Sequence, residues 1–369
     1  MKIIKVNIYR LNINVTHPTV IPIGVLDAAK NVAIKVTTDT GITGWGEASP
    51  FSPITGECQE TNLATAKQLA QLIIGKNPLA IDVRISEISR LFAGEPSIRS
   101  AFDMALYDIM GKAANMPLYQ LLGGELRELR TDLTIGMQDT ISKTLERVDG
   151  ILARGFNAIK LKVGRPGLED LAHVAAVRER VGSNIFLKVD SNQGWDYQTA
   201  VANLRAMEAL DLQYSEQPIA AWDYENLARL RNKVSIPICA DEAIFNDKDA
   251  LKLVNAGAVD YINIKLGKSG GIYNGLRIEA IAQAAGSQCM IGCFAESRLA
   301  ISAASHFAIA RPNISFIDLD SPFNHDSDPV IGGITYDDNI GGLIHMPVSP
   351  GIGASFDENA LENFAEISL

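Results

Sequence analysis

From Asp132 onward, short apolar runs alternate with amphipathic stretches at a period of about 25 residues, the rhythm of βα units around a parallel sheet. The runs are Asp132–Ile135, Ala158–Val163, Ile185–Val189, Gln213–Ser215, Ile236–Ala240, Tyr261–Ile264, Cys289–Ile291 and Ser315–Leu319. Between them Leu171, Val174 and Val181, then Leu204, Met207 and Leu210, then Leu227, Leu230 and Val234, then Ala250, Leu253 and Val254 recur at helical spacing. Eight such units in about 200 residues predict an α/β fold built on a closed (β/α) TIM-like barrel rather than an open doubly wound sheet. A dinucleotide fold would also place G-x-G-x-x-G after its first strand, and no such motif follows there.

The first third has another grammar. Val32, Ile34 and Val36 alternate with Ala33, Lys35 and Thr37, and Asp39-Thr40-Gly41 turns the chain into Ile42–Ala48, a hairpin. Helical patterns follow, the last over Ser97–Asn115, before Pro117 and Gly123-Gly124. The expected division is an α+β capping domain over 1–125, the barrel over 126–324, and a Gly-rich segment over 325–369 that packs back on the cap. A chain of 369 residues fits two cores better than one.

A net charge of −10 opposes a nucleic-acid partner or an anionic membrane, since both demand clustered Lys and Arg. No apolar stretch reaches the roughly 20 residues of a membrane span. Lys5 and Arg10 interrupt the apolar character of the N-terminus, so Met1–Val15 reads as a strand, not a signal peptide. Cys58, Cys239, Cys289 and Cys293 lack metal-ligand spacing and read as reduced core thiols of a cytoplasmic protein. A homo-oligomer is expected.

Working side chains of a TIM barrel stand at the C-terminal ends of its strands. Here those ends carry Lys160-Leu161-Lys162, Asp190-Ser191-Asn192, Glu216-Gln217-Pro218, Asp241-Glu242, Lys265 and Asp318-Leu319-Asp320. Alternation along a strand puts Lys160 and Lys162 on one face, and likewise Asp318 and Asp320. One acid after a strand ordinarily caps the next helix. Three carboxylates on the adjacent third, fourth and fifth strands would instead converge and repel unless a cation lies among them. Asp190, Glu216 and Asp241 offer only hard oxygen donors, which select Mg²⁺ or Mn²⁺ over Zn²⁺.

Such a cation acidifies the α-proton of a bound carboxylate by stabilising the enediolate. Lys162 and Lys265, from opposite sides of the mouth, would serve the two faces of the α-carbon. For this, the base must fall from an ordinary lysine pKa of about 10.4 toward about 7 to 8, and Lys160 beside Lys162, together with the metal, is expected to push that way. Two carboxylates on the last strand, Asp318 and Asp320, suit an ammonium group and suggest a zwitterionic substrate.

Together these residues resemble the enolase superfamily, muconate-lactonizing-enzyme subgroup, over nearly the whole chain. The resemblance runs through Ser100–Asp108 to Gly123-Gly124, the K-x-K pair at Lys160 and Lys162, the ligands Asp190, Glu216 and Asp241, and Asn263-Ile264-Lys265. Lys bases with Mg²⁺ are established chemistry of that superfamily. The mandelate-racemase branch would place a His base late in the barrel, whereas His306 falls in a helical stretch. Asp318-Leu319-Asp320 looks like the D-x-D motif of dipeptide epimerases, and Cys293–Arg298 resembles the segment after their seventh strand.

That resemblance implies a dipeptide whose ammonium meets the two aspartates and whose carboxylate chelates Mg²⁺, with epimerisation at its second residue. It further implies capping loops around Pro18–Ala28 and Phe51–Glu57. Gly24, Ile54, Thr134, Lys160, Cys293 and Glu296 are the expected substrate contacts, with Asn192, Glu242 and Lys268 supporting the ligands from behind. Members specific for L-Ala-D/L-Glu resemble one another in an Arg on the first capping loop, where Gly24 stands here, so a small or hydrophobic second residue is expected. L-Ala-D/L-Glu epimerase proper, o-succinylbenzoate synthase, N-succinylamino-acid racemase, muconate cycloisomerase and a non-catalytic binding protein are the alternatives. Gly267-Lys268-Ser269 echoes a P-loop, but the first glycine of that motif would fall on Ile262.

Overall fold

The computed structural model describes residues 1–369. The N-terminal part is a sheet with helices on one face. β1 (Ile3–Ile21), β2 (Gly24–Thr38) and β3 (Thr43–Ala48) form an antiparallel meander. Helices Gln59–Ile73 and Pro96–Ala114 pack against it, and Ile81–Leu91 packs on those two helices. Gly44 and Gly46, two apart and so on one face of β3, allow that strand to lie directly on the backbone of helix Pro96–Ala114, where any Cβ would collide with the carbonyls of Ala105 and Ala101.

After a short β4 (Leu129–Arg130) come the barrel strands β5 (Leu133–Ile135), β6 (Ala158–Lys162), β7 (Phe186–Asp190), β8 (Leu212–Glu216), β9 (Ile238–Ala240), β10 (Tyr261–Ile264), β11 (Gln288–Ile291) and β12 (Ile314–Ile317). They pair in parallel in chain order. Asp132 N donates to Ile317 O at 3.3 Å, joining the last strand to the first. All eight expected runs are therefore strands of one sheet.

Every second residue points inward and builds layers. The lowest is an aromatic plug of Tyr214, Tyr261 and Phe316 with Met290 and Cys239. Above it lies a buried Lys188–Asp132 ion pair that bridges the first and third barrel strands. Highest stand Lys160, Lys162, Asp190, Glu216, Asp241, Lys265 and Asp318.

The last strand is followed not by a helix but by a short 3₁₀ turn, Ser321–Asn324. The chain then runs through β13 (Val330–Gly332), β14 (Thr335–Tyr336), β15 (Leu343–His345) and β16 (Ala354–Phe356). It ends in β17 (Glu362–Ser368), which pairs antiparallel with β1. Of the thiols, Cys239 and Cys289 are buried, whereas Cys58 is exposed at the start of the first long helix, correcting its assignment to the core. No helix is long and apolar enough to cross a membrane.

Candidate active site

Strand register sets the site. Lys162 lies beside Asp190, and Asp190 beside Glu216, because β6, β7 and β8 end level with one another. Lys162 Nζ donates to Asp190 Oδ2 at 2.6 Å and to Asn192 Oδ1 at 3.1 Å. Asn192 in turn donates to Glu242 Oε1 at 3.0 Å, so Glu242 holds the residue that aims Lys162. Across the mouth Lys265 Nζ stands 2.9 Å from Asp241 Oδ2, and Lys268 Nζ 2.9 Å from Asp241 Oδ1. Three strands carrying the three carboxylates separate Lys162 from Lys265, so the two amines approach the acids from opposite sides.

The donor set fits a hard cation. Asp190, Glu216 and Asp241 are fully buried, and Glu216 Oε2 and both Asp241 oxygens accept no well-aligned hydrogen bond although ammonium groups lie within 2.9 Å. Lys160, Lys265 and Lys268 supply the counter-charge to these oxygens here, and the acceptor positions they leave open are ones a hard cation would fill. Glu216 Oε1 is fixed by Asn263 Nδ2 at 2.7 Å, leaving its other oxygen to face its neighbours.

One expectation is corrected here. Lys160 does not press on Lys162 as a like charge, because its Nζ is shared among Asp318 (2.7 Å), Glu216 (2.8 Å) and Asp190 (3.1 Å). Burial would lower its pKa, but these carboxylates outweigh burial and hold the ammonium well above its usual range. The same contest at Lys265, burial against Asp241, also ends with the pKa raised rather than depressed.

On the far side of Lys160 stand the two aspartates of the last strand. Burial raises the Asp318 carboxyl, yet Lys160 overcomes it and keeps Asp318 ionised. Asp320 has no cation of its own: burial and the Asp318 charge lift it to about 6, tempered by the Thr134 N–H, which donates to Oδ2 at 2.7 Å. Cys293 Sγ lies 3.8 Å from the other Asp320 oxygen.

A cavity of about 790 Å³ opens above these groups. Lys160, Lys162, Lys265, Asn192, Thr134, Cys293, Asp318, Asp320 and Ile54 all line it. Ile21, Leu26, Phe51 and Phe294 give it an apolar wall, with the Phe51 and Phe294 rings 6.2 Å apart and Phe294 also 4.6 Å from Lys265 Nζ. Gly24 and Glu296, expected as contacts, stand off the cavity. Gly24 packs toward Pro53 and Phe51, while Glu296 turns back to accept from Phe294 N. The segments that carry Phe51, Phe294, Ile21 and Leu26 are expected at the site, as Phe51–Glu57, Cys293–Arg298 and Pro18–Ala28, but these four side chains are not singled out because no charge or spacing marks them. Their positions depend on where the cap settles, which no local pattern records.

Comparison with known proteins follows the same lines. Residues 3–123 match the mandelate racemase / muconate lactonizing enzyme N-terminal domain, and residues 143–360 match the enolase C-terminal domain-like family. The chain is 38% identical to the hydrophobic dipeptide epimerase of Enterococcus faecalis, over 96% of this chain and 100% of that protein. It is 35% identical to the D-Ala-D/L-Ala epimerase of Cytophaga hutchinsonii, over the full length of both. The crystal structure of the dipeptide epimerase from Cytophaga hutchinsonii, complexed with Mg and the dipeptide D-Ala-L-Val, superposes with a TM-score of 0.96 at 36% identity, covering all of both chains. With both of its domains matched and relatives aligned end to end, the chain belongs to the enolase superfamily, with the two-domain architecture of the mandelate racemase and muconate lactonizing enzymes.

Proposed function

We propose that the protein is a Mg²⁺-dependent dipeptide epimerase that inverts the α-carbon of a small or hydrophobic second residue. The observation that carries this reading is the pair of amines, Lys162 and Lys265, facing three buried carboxylates from opposite sides, with two further aspartates a lysine's width away. Bound by Asp190, Glu216 and Asp241, Mg²⁺ would supply the Lewis-acid charge that acidifies the α-proton of the substrate's carboxylate terminus.

The remaining work falls to side chains. One lysine, in its neutral form, takes the proton from the α-carbon, and the opposite ammonium returns one to the other face. Asn192 and Glu242 hold Lys162 on line, and Phe294 lies against Lys265. Asp318 and Asp320 receive the substrate's ammonium, a demand that N-succinyl substrates, lacking a free amine, would not make. The arm formed by β1 and β2 excludes water from above.

Specificity at the second residue is supported by the apolar wall of Ile21, Leu26, Phe51, Ile54 and Phe294. The arm between Thr19 and Ala28 contains no Lys or Arg to meet a glutamate side chain. An unpaired carboxylate there would cost several kcal/mol.

The test is α-deuteration in D₂O, followed by mass spectrometry across L-Ala-L-Xaa dipeptides and N-succinylamino acids. We expect Leu and Val at the second position to exceed Glu by at least about ten-fold in kcat/KM. Preference for Glu would overturn the specificity, and turnover of N-succinylamino acids without dipeptides would overturn the reaction.

A further inference from the structure

The cavity does not stop at the two aspartates. Its lining extends past Gly136 and Ser321 to an outer groove along helix Ile141–Ala153 and the short turn Ser321–Asn324 that follows the last strand. One wall is the face of helix Ile141–Ala153, and the other is Phe323–His325, bridged to the arm through Val15 and His325. A pocket of 790 Å³ lies toward the large end of those that enclose whole drug-sized ligands, so the inner chamber alone does not account for it.

The character of the groove is specific. Its apolar floor is Ile135, Ile151 and Phe323, and its charged groups are Lys143, Glu146, Arg147 and Arg154. Lys143 is engaged by Asp139 at 3.1 Å. No carboxylate of the protein lies within 4.0 Å of the guanidinium of Arg147 or Arg154. The Arg154 guanidinium lies 4.6 Å from the Phe323 ring centre and 5.3 Å from that of Phe156 and donates no hydrogen bond to the protein, which leaves its N–H donors free. The two arginines are seven positions apart, so they stand about 10 Å apart along the groove. Phe323 N bonds Asp320 O, which ties the groove wall directly to the residue proposed to hold the substrate's ammonium.

We propose that this outer lobe receives the side chain of the substrate's first residue and favours one ending in a carboxylate. The inference rests on the dipeptide reading above. With the ammonium at Asp318 and Asp320, the first α-carbon lies at the opening under the arm. Its side chain then has only that opening to enter, since the inner chamber is filled by the second residue. A carboxylate arriving beside Arg147, or reaching further toward Arg154, gains charge-assisted hydrogen bonds at a planar donor fork, whereas an ammonium would meet two like charges against Glu146 alone.

The test uses the full-length Mg²⁺-loaded protein and the series Leu-Leu, Glu-Leu and Lys-Leu, with α-deuteration as readout. Glu-Leu should exceed Lys-Leu in kcat/KM by at least about ten-fold. In the double variant Arg147→Gln with Arg154→Gln, the ratio of Glu-Leu to Leu-Leu should fall about ten-fold, chiefly through KM, while Arg→Lys at both positions should retain most of it. An unchanged ratio in the Gln variant, or a preference for Lys-Leu, would overturn the subsite while leaving the epimerase standing. Exchange in none of the dipeptides would overturn the epimerase reading and the subsite with it.

Discussion

At the scale of single residues, the site is a set of charges that each strand delivers at its own end. Asp320 is where this has a measurable consequence. An ammonium-holding carboxylate must be ionised, and burial together with Asp318 raises its pKa to about 6. The sign is therefore fixed: kcat/KM for a dipeptide should rise as pH increases through about 6, as Asp320 loses its proton. Asp320→Asn should lower kcat/KM by about 10- to 100-fold and remove that limb, because it exchanges a charged partner for a neutral one. A pH–rate profile of the two proteins decides it, and a limb surviving in the Asn variant would sink the assignment. The acids and lysines were legible in the sequence because a strand end is a local property. Lys188 and Asp132 were not, since their pairing between the first and third strands depends on the layer each occupies and no motif marks it.

At the scale of elements, the eight barrel strands could be read because alternation and spacing are carried within each. The arm over the mouth is expected only as a capping loop around Pro18–Ala28, through the resemblance, and not as a ribbon of two strands. β1 and β2 continue as a two-stranded ribbon well beyond the sheet, and the turn at Pro22 rests against two barrel loops. Gly164 and Gly194 make the seat. A Cβ on Gly194 would lie 2.7 Å from Gly164 Cα and 2.8 Å from Pro22 Cγ. Val20 O also accepts from Met137 N at 3.0 Å, pinning the arm to the segment after β5. The position of Gly194 does not demand a left-handed backbone, so Gly194→Ala acts by contact and not by strain. It should hold the arm off the barrel, raise KM by about ten-fold and speed proteolysis near residues 22–24, with little change in the melting temperature. Unaltered KM and protease resistance would mean that the arm does not need this seat.

The whole molecule is held together by buried polar groups that tie cap to barrel. Glu47 of β3 accepts from Asn31, from the N–H and hydroxyl of Ser297, and from Ala300 N, so it caps the helix Arg298–Ala310. Asp103 does the same for the helix Ile272–Ala284, and Asp108 binds both Trp45 N and Ile352 N. The Ser100–Asp108 stretch thus read correctly as a family signature, although its physical work, fastening the N-terminal part to the barrel around one continuous core, needed the assembled chain. His306 completes this frame. Its Nδ1 accepts from Tyr119 N at 3.2 Å, which leaves the Nε2 proton for Ile352 O at 3.0 Å. Only one neutral tautomer satisfies both, and a second ring proton would point at an N–H. Burial accordingly depresses its pKa to about 4, the Ile352 bond opposing only in part. An unfolded chain binds that proton near pH 6.5, so between about 6.5 and 4 the unfolded state takes up a proton that the folded state refuses. Stability from this residue is present above pH 6.5 and falls as pH drops, by about 3 kcal/mol in all. Urea unfolding at pH 7 and pH 5 should therefore show wild type losing about 2 kcal/mol more over that interval than His306→Gln, whatever the absolute stability of the variant. Equal losses in the two proteins would mean that His306 is protonated in the folded state, and that the Tyr119 and Ile352 contacts do not fix its charge.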